Sequence, residues 1–152
     1  MRKTESGFTL LELLAVLSII ALIAGFLFPT ISKVKEEGKK AKAKAMIETI
    51  SIALNAYRTD WGVYGPNENE LNSSGTLYNM LTTTKKNGPY IELKTRDLKI
   101  TGSVKKLTDP WGTFYSVYVD ADGGSNSIPS HNRNSFDISC TTTSGIVINN
   151  WE

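Results

Sequence analysis

From Phe8 to Phe28 the chain is apolar except for Thr9, Glu12 and Ser18, and Pro29 closes the run. As a helix this stretch would span about 30 Å, enough to cross the hydrocarbon core of a bilayer. Met1 to Gly7 precedes it as a short polar leader carrying Arg2 and Lys3. A secretory signal peptide has the same order of parts, but its apolar core is typically ~7–15 residues and a small-residue cleavage pattern follows it. Neither holds here, so an anchor is the simpler reading, and it leaves Glu12 unexplained. An acid at mid-membrane costs at least about 2.5–3.5 kcal/mol on insertion scales, which marks an intramembrane carboxyl as a functional-site candidate. Glu12 must find a partner there or take up a proton.

The remainder of the 152 residues suits one ordinary domain. The net charge is +2, so no nucleic-acid footprint and no acidic tail stands out. Cys140 is the single cysteine, which excludes an internal disulfide and is too little for a zinc site. From Ile31 to Arg58 there is no proline and one glycine, Gly38. Ile47, Ile50, Leu54 and Tyr57 recur there at helical spacing, which predicts an apolar stripe packed on something. The Lys/Glu stretch before the stripe reads as a solvated neck. Pro29, with Gly25 nearby, is expected to bend or open one long helix rather than end it.

After Asp60 the texture turns to Gly, Asn, Ser, Thr and Pro between short apolar runs. Leu77 to Leu81 reads as a short helix. Phe114–Val119 alternates with Tyr115, Val117 and Val119 on one face, and Phe136–Cys140 with Phe136, Ile138 and Cys140. Gly145–Trp151 supplies a last strand candidate, with Ile146 and Ile148 alternating. Asp109-Pro110-Trp111-Gly112 starts a turn whose aromatics anchor the next strand.

Gly7-Phe8-Thr9-Leu10-Leu11-Glu12 resembles the leader junction of type IV pilins and pseudopilins. The DPWG turn, Ala53–Tyr57 with Gly62-Val63-Tyr64, and the closing Asn150-Trp151-Glu152 are similar to the major pseudopilin of type II secretion systems. The resemblance implies an α+β, type IV pilin-like fold: a long N-terminal helix, membrane-spanning in its first half, packed on a small C-terminal antiparallel sheet. Its parts would be a cleaved leader (1–7), an assembly half of the helix (8–29), an amphipathic half (30–60) and a globular head (61–152). It also implies cleavage by a prepilin peptidase between Gly7 and Phe8, and methylation of the new Phe8 amine by the same enzyme. Glu12 would then pair with the amino terminus of a neighbouring subunit and set the axial register. Counting Lys and Arg on either side of the span would keep the long part inside the cell; the resemblance places the leader inside and the head outside, in the bacterial inner membrane.

That family typically binds calcium in the loop between its last two strands. Ser144 and Val147 stand where its carboxylates are expected, so no cofactor and no family-type metal site is expected. Asp120 and Asp122 are weak candidates for another cation, better read as a hairpin turn. His131 and Cys140 show no signature of an activated pair, and enzymatic activity is not expected. The function implied is a structural subunit that homopolymerises with other pseudopilins into a secretion pseudopilus, driven through an inner-membrane platform protein and an assembly ATPase. A surface or competence pilus is the alternative, and only the competence case would bring nucleic acid as a partner. A membrane-anchored binding domain that never polymerises is the reading from another class.

Overall fold

The computed structural model describes residues 7–66, 71–73, 75–119, 131–132 and 135–151, without the side chains of 28 and 29. The chain forms two compact units, Met1–Gly38 and Lys39–Glu152. One helix, α1 (Leu10–Trp61), belongs to both and continues through Pro29. Proline supplies no N–H to the ladder. Next to it, the Thr30 hydroxyl donates to the Phe26 carbonyl at 3.2 Å.

From Leu13 to Leu27 the helix is apolar on every side apart from Ser18, and side chains such as Leu14, Ile20 and Phe26 are exposed. Such a helix is stable only where its surroundings are apolar too. From Ala43 onward the pattern becomes one-sided. Ala43, Ile47, Ile50, Ala53 and Leu54 are buried; of the predicted stripe, Ile47, Ile50 and Leu54 are buried and Tyr57 is partly buried. Full burial of a side chain such as Ile50 or Leu54 contributes about 1.5–3 kcal/mol.

The opposite side of this core comes from the rest of the second unit. Helix α2 (Thr76–Leu81) forms where a short helix is expected, and it buries Leu77, Met80 and Leu81. Strands β3 (Ser116–Val119), β4 (Phe136–Thr141) and β5 (Val147–Asn149) form an antiparallel sheet in the order β3-β4-β5. Tyr115, Val117, Val119, Phe136, Ile138 and Cys140 face the core as expected. Ile148 joins them, but Ile146 lies ahead of β5 and is half exposed, because its N–H and carbonyl are both held by Thr142 in the closing turn.

A second, two-stranded sheet was not legible in the sequence. Strands β1 (Leu98–Thr101) and β2 (Val104–Leu107) pair antiparallel across Gly102, whose positive φ of 61° suits a tight hairpin. Their composition, LKIT and VKKL, carries too little apolar alternation to announce a strand. Asn72 sews this hairpin to the main sheet. Fully buried, its amide donates to the carbonyls of Leu107 (3.0 Å) and Tyr115 (2.8 Å), and its oxygen accepts from the Leu107 N–H (2.8 Å).

Candidate assembly site

Helix α1 begins one residue after Thr9, and its first turn is closed reciprocally. The Glu12 N–H donates to the Thr9 hydroxyl oxygen at 3.2 Å, and Glu12 Oε2 accepts from the Thr9 N–H at 2.8 Å and from its hydroxyl at 3.0 Å. This is a capping box, which satisfies backbone donors that the start of any helix leaves open. Its sequence signal is the Thr9-x-x-Glu12 spacing ahead of an apolar run, a local partner that weighing Glu12 only as a buried charge misses. Glu12 therefore has a partner within its own chain, and the acid also sits at the positive end of the helix dipole.

Gly7 and Phe8 lie before the helix and are exposed, Phe8 with 80% of its surface accessible. A Cβ placed on Gly7 would meet nothing within 4 Å. The peptide bond between them is thus outside the helical hydrogen-bond ladder. The most apolar 18-residue window of α1 has a mean hydropathy of 2.7, and none of it is buried. Ser18, the other polar residue of the run, donates its hydroxyl back to the Leu14 carbonyl at 2.8 Å. Its polar group is satisfied without a partner from outside.

In the head, Asp109 anchors the turn that the sequence singled out. Its buried carboxylate accepts from the N–H groups of Trp111 and Thr113, both at 2.9 Å, and from the Thr113 hydroxyl. Pro110 and Gly112 complete the turn, with Gly112 N–H donating to the Asp109 carbonyl at 3.1 Å. Cys140 is buried in β4, and burial pushes its thiol up to about 11. His131 stacks on Trp151 with ring centroids 4.2 Å apart, and its backbone N–H donates to the buried Asp137 at 2.6 Å. His131 and Cys140 form no nucleophile–base arrangement: the histidine engages Asp137 and Trp151 instead.

The β4–β5 turn, where the resemblance would place calcium, is closed by its own hydrogen bonds. The Thr142 hydroxyl accepts from the Ile146 N–H (3.0 Å) and shares a hydrogen bond with the Ser144 hydroxyl (2.9 Å). Thr142 N–H donates to the Ile146 carbonyl at 2.8 Å, and Gly145, at φ 82°, donates to the Thr142 carbonyl at 3.0 Å. The oxygens are neutral and already engaged, whereas calcium wants several oxygens including carboxylates. Among the described residues no group of three or more His, Cys, Asp or Glu could hold a metal ion. Asp120 and Asp122 lie outside the described residues.

Two family models match the chain. The prokaryotic N-terminal methylation motif covers residues 2–28, and type II secretion system protein G covers residues 30–138. Among curated proteins, type II secretion system core protein G of Vibrio cholerae is 32% identical over 125 residues, 82% of this chain and 77% of its own. The protein of the same name from Pseudomonas aeruginosa is 30% identical over 124 residues, 81% of this chain and 80% of its own. That from Escherichia coli K12 is 29% identical over 127 residues, covering 82% and 80%. No solved structure matches the chain. The methylation motif indicates processing by a prepilin peptidase, and it reaches over the capped start of the apolar helix. With the protein G model spanning the second half of α1 and most of the head, this chain belongs to the type II secretion system protein G family of pseudopilins.

Proposed function

We propose that the chain is inserted in the inner membrane with its head outside the cytoplasm, cut between Gly7 and Phe8, and methylated at the Phe8 amine. It then polymerises with other copies into a periplasmic pseudopilus that drives protein export. The observation that carries this reading is the first turn of α1. The capping box fixes where the helix starts and leaves the Gly7–Phe8 peptide exposed just ahead of it. A protease needs such an accessible, non-helical bond.

Cleavage places a cationic amine at Phe8 in an apolar setting, four residues from the Glu12 carboxylate. In the membrane-inserted precursor Glu12 is held by Thr9 of its own chain. In the fibre the amine of a neighbouring copy would become its partner, offsetting the desolvation of both charges and fixing how far each helix rises past the next. The apolar half of α1 would exchange lipid for neighbouring helices. The chain carries no nucleotide-binding motif, so the work would come from an assembly ATPase acting through a platform protein. The hydroxyl-closed β4–β5 turn supports a head that holds its shape without calcium.

Mass spectrometry of filaments and membranes from cells at native expression tests the reading. A methylated chain starting at Phe8 that stays with the envelope supports a pseudopilus. The same chain abundant in a sheared surface fraction would make it a surface or competence pilus. A chain still starting at Met1, in a host with the peptidase, refutes both.

A further inference from the structure

A net charge near neutrality conceals a basic stretch of the head. Asp97, Asp109 and Asp137 are all buried there, each accepting hydrogen bonds inside the protein. Between Lys94 and Lys106 the chain carries five cations and a single acid, Asp97, and that acid is taken by Lys42 at 2.9 Å. The β1–β2 hairpin is therefore basic with no exposed carboxylate of its own.

Its geometry is unusual for a merely solvated strand pair. Lys99 and Lys106 stand directly opposite each other in the register, and like charges so placed destabilise a sheet. Both ammonium groups lie over one ring, that of Phe114, at 5.5 and 5.3 Å from its centroid. The ring, 38% exposed, partly offsets their repulsion through its negative face. Lysines on sheet edges discourage edge-to-edge pairing, but that needs neither an opposed pair nor an accessible aromatic between them. Protein–protein interfaces are depleted in lysine, whereas cations interleaved with an aromatic platform are how single-stranded nucleic acid is held, phosphates on the ammoniums and a base against the ring.

We propose that the hairpin face formed by Lys99, Lys106 and Phe114 binds single-stranded DNA. This goes beyond the fibre reading and does not depend on it, since the face is complete in one copy. In a polymer the face would recur along the fibre, so one strand would engage several heads and bind far more tightly than any single head.

The test is fluorescence anisotropy with labelled oligothymidylate and the full-length protein in neutral detergent, between about 50 and 200 mM salt. Replacing both lysines (Lys99→Gln with Lys106→Gln) should weaken binding about tenfold or more. It should also lower the slope of log affinity against log salt by roughly 1.4, two phosphate contacts on a single strand. Phe114→Leu should weaken binding about fivefold and leave the slope unchanged. Lys99→Arg with Lys106→Arg should retain binding, which separates lost charge from lost folding. Three results would each overturn the proposal: no binding by the wild-type chain at the lowest salt, glutamine variants that bind like wild type, or poly(glycerol phosphate) or polyaspartate binding as tightly as the oligonucleotide.

Discussion

Replacing Thr142 by valine removes one hydroxyl from the β4–β5 turn and little else. The side chain is 4% exposed and β-branched in both residues, so the shape is kept. Two hydrogen bonds disappear, from the Ile146 N–H and with the Ser144 hydroxyl. Each has a net worth of about 0.5–1.5 kcal/mol. Ser144 and Ile146 are exposed and can turn to water, which recovers part of the loss. The expected cost is about 1–2 kcal/mol. For a unit of this size that lowers the melting temperature by roughly 5–10 °C. The assay is thermal unfolding of the purified protein in detergent, with calcium and with chelator. A calcium site filled to a hundred times its dissociation constant would stabilise the wild type by about 2.7 kcal/mol, a shift too large to miss. The expected result is one wild-type melting temperature in both buffers and a lower one for Thr142→Val, equally indifferent to calcium. A wild-type protein that loses several degrees in chelator, or a valine variant that melts like wild type, would refute the reasoning.

Glu12→Gln keeps an oxygen for Thr9 but cannot form an ion pair; filament yield should fall at least about tenfold while the membrane-bound precursor accumulates normally, and filaments at wild-type yield would sink the pairing. Asn72→Ala strips the Leu107 N–H and the Tyr115 carbonyl of their partner inside the core and should cost about 2–4 kcal/mol in denaturant unfolding. Asp60 accepts from the Tyr90 hydroxyl and the Asn87 amide, with Lys86 nearby, and these hold its carboxyl below the usual carboxylate range. Its stabilisation is thus complete above the unfolded-state value of about 3.9 and is lost as pH falls through the lower folded value. Asp60→Asn should flatten that acid limb of the stability curve; a limb of unchanged steepness would count against it. The Cys140 thiol, raised and buried, should resist a disulfide reagent in the native state and react once the head is unfolded.

Much of this architecture could be read along the chain because its signals are local. The apolar run from Phe8, the stripe at Ile47, Ile50 and Leu54, and the alternation through Tyr115, Val117 and Val119 each repeat with the period of the element they form. The capping box was equally local, and Glu12 yields two readings from the same four residues: a cap within its own chain and a charge awaiting a neighbour. The β1–β2 hairpin escaped because its strands are lysine-rich, and its register comes from Gly102 and from Asn72, which is 35 residues away from its partner Leu107.

By itself the sequence determined that the chain has an apolar run long enough to cross a membrane, with an acid near its start, and an alternating, turn-rich head. Only the tertiary structure decided which charges meet the solvent. Counting residues gives the same weight to Asp97, Asp109 and Asp137 as to Lys99 and Lys106, yet folding buries the three acids against donors and leaves the opposed lysines beside an accessible ring. Periodicity is set by neighbours in the chain, whereas burial is set by whatever segment packs on top, and that segment can come from anywhere in the sequence.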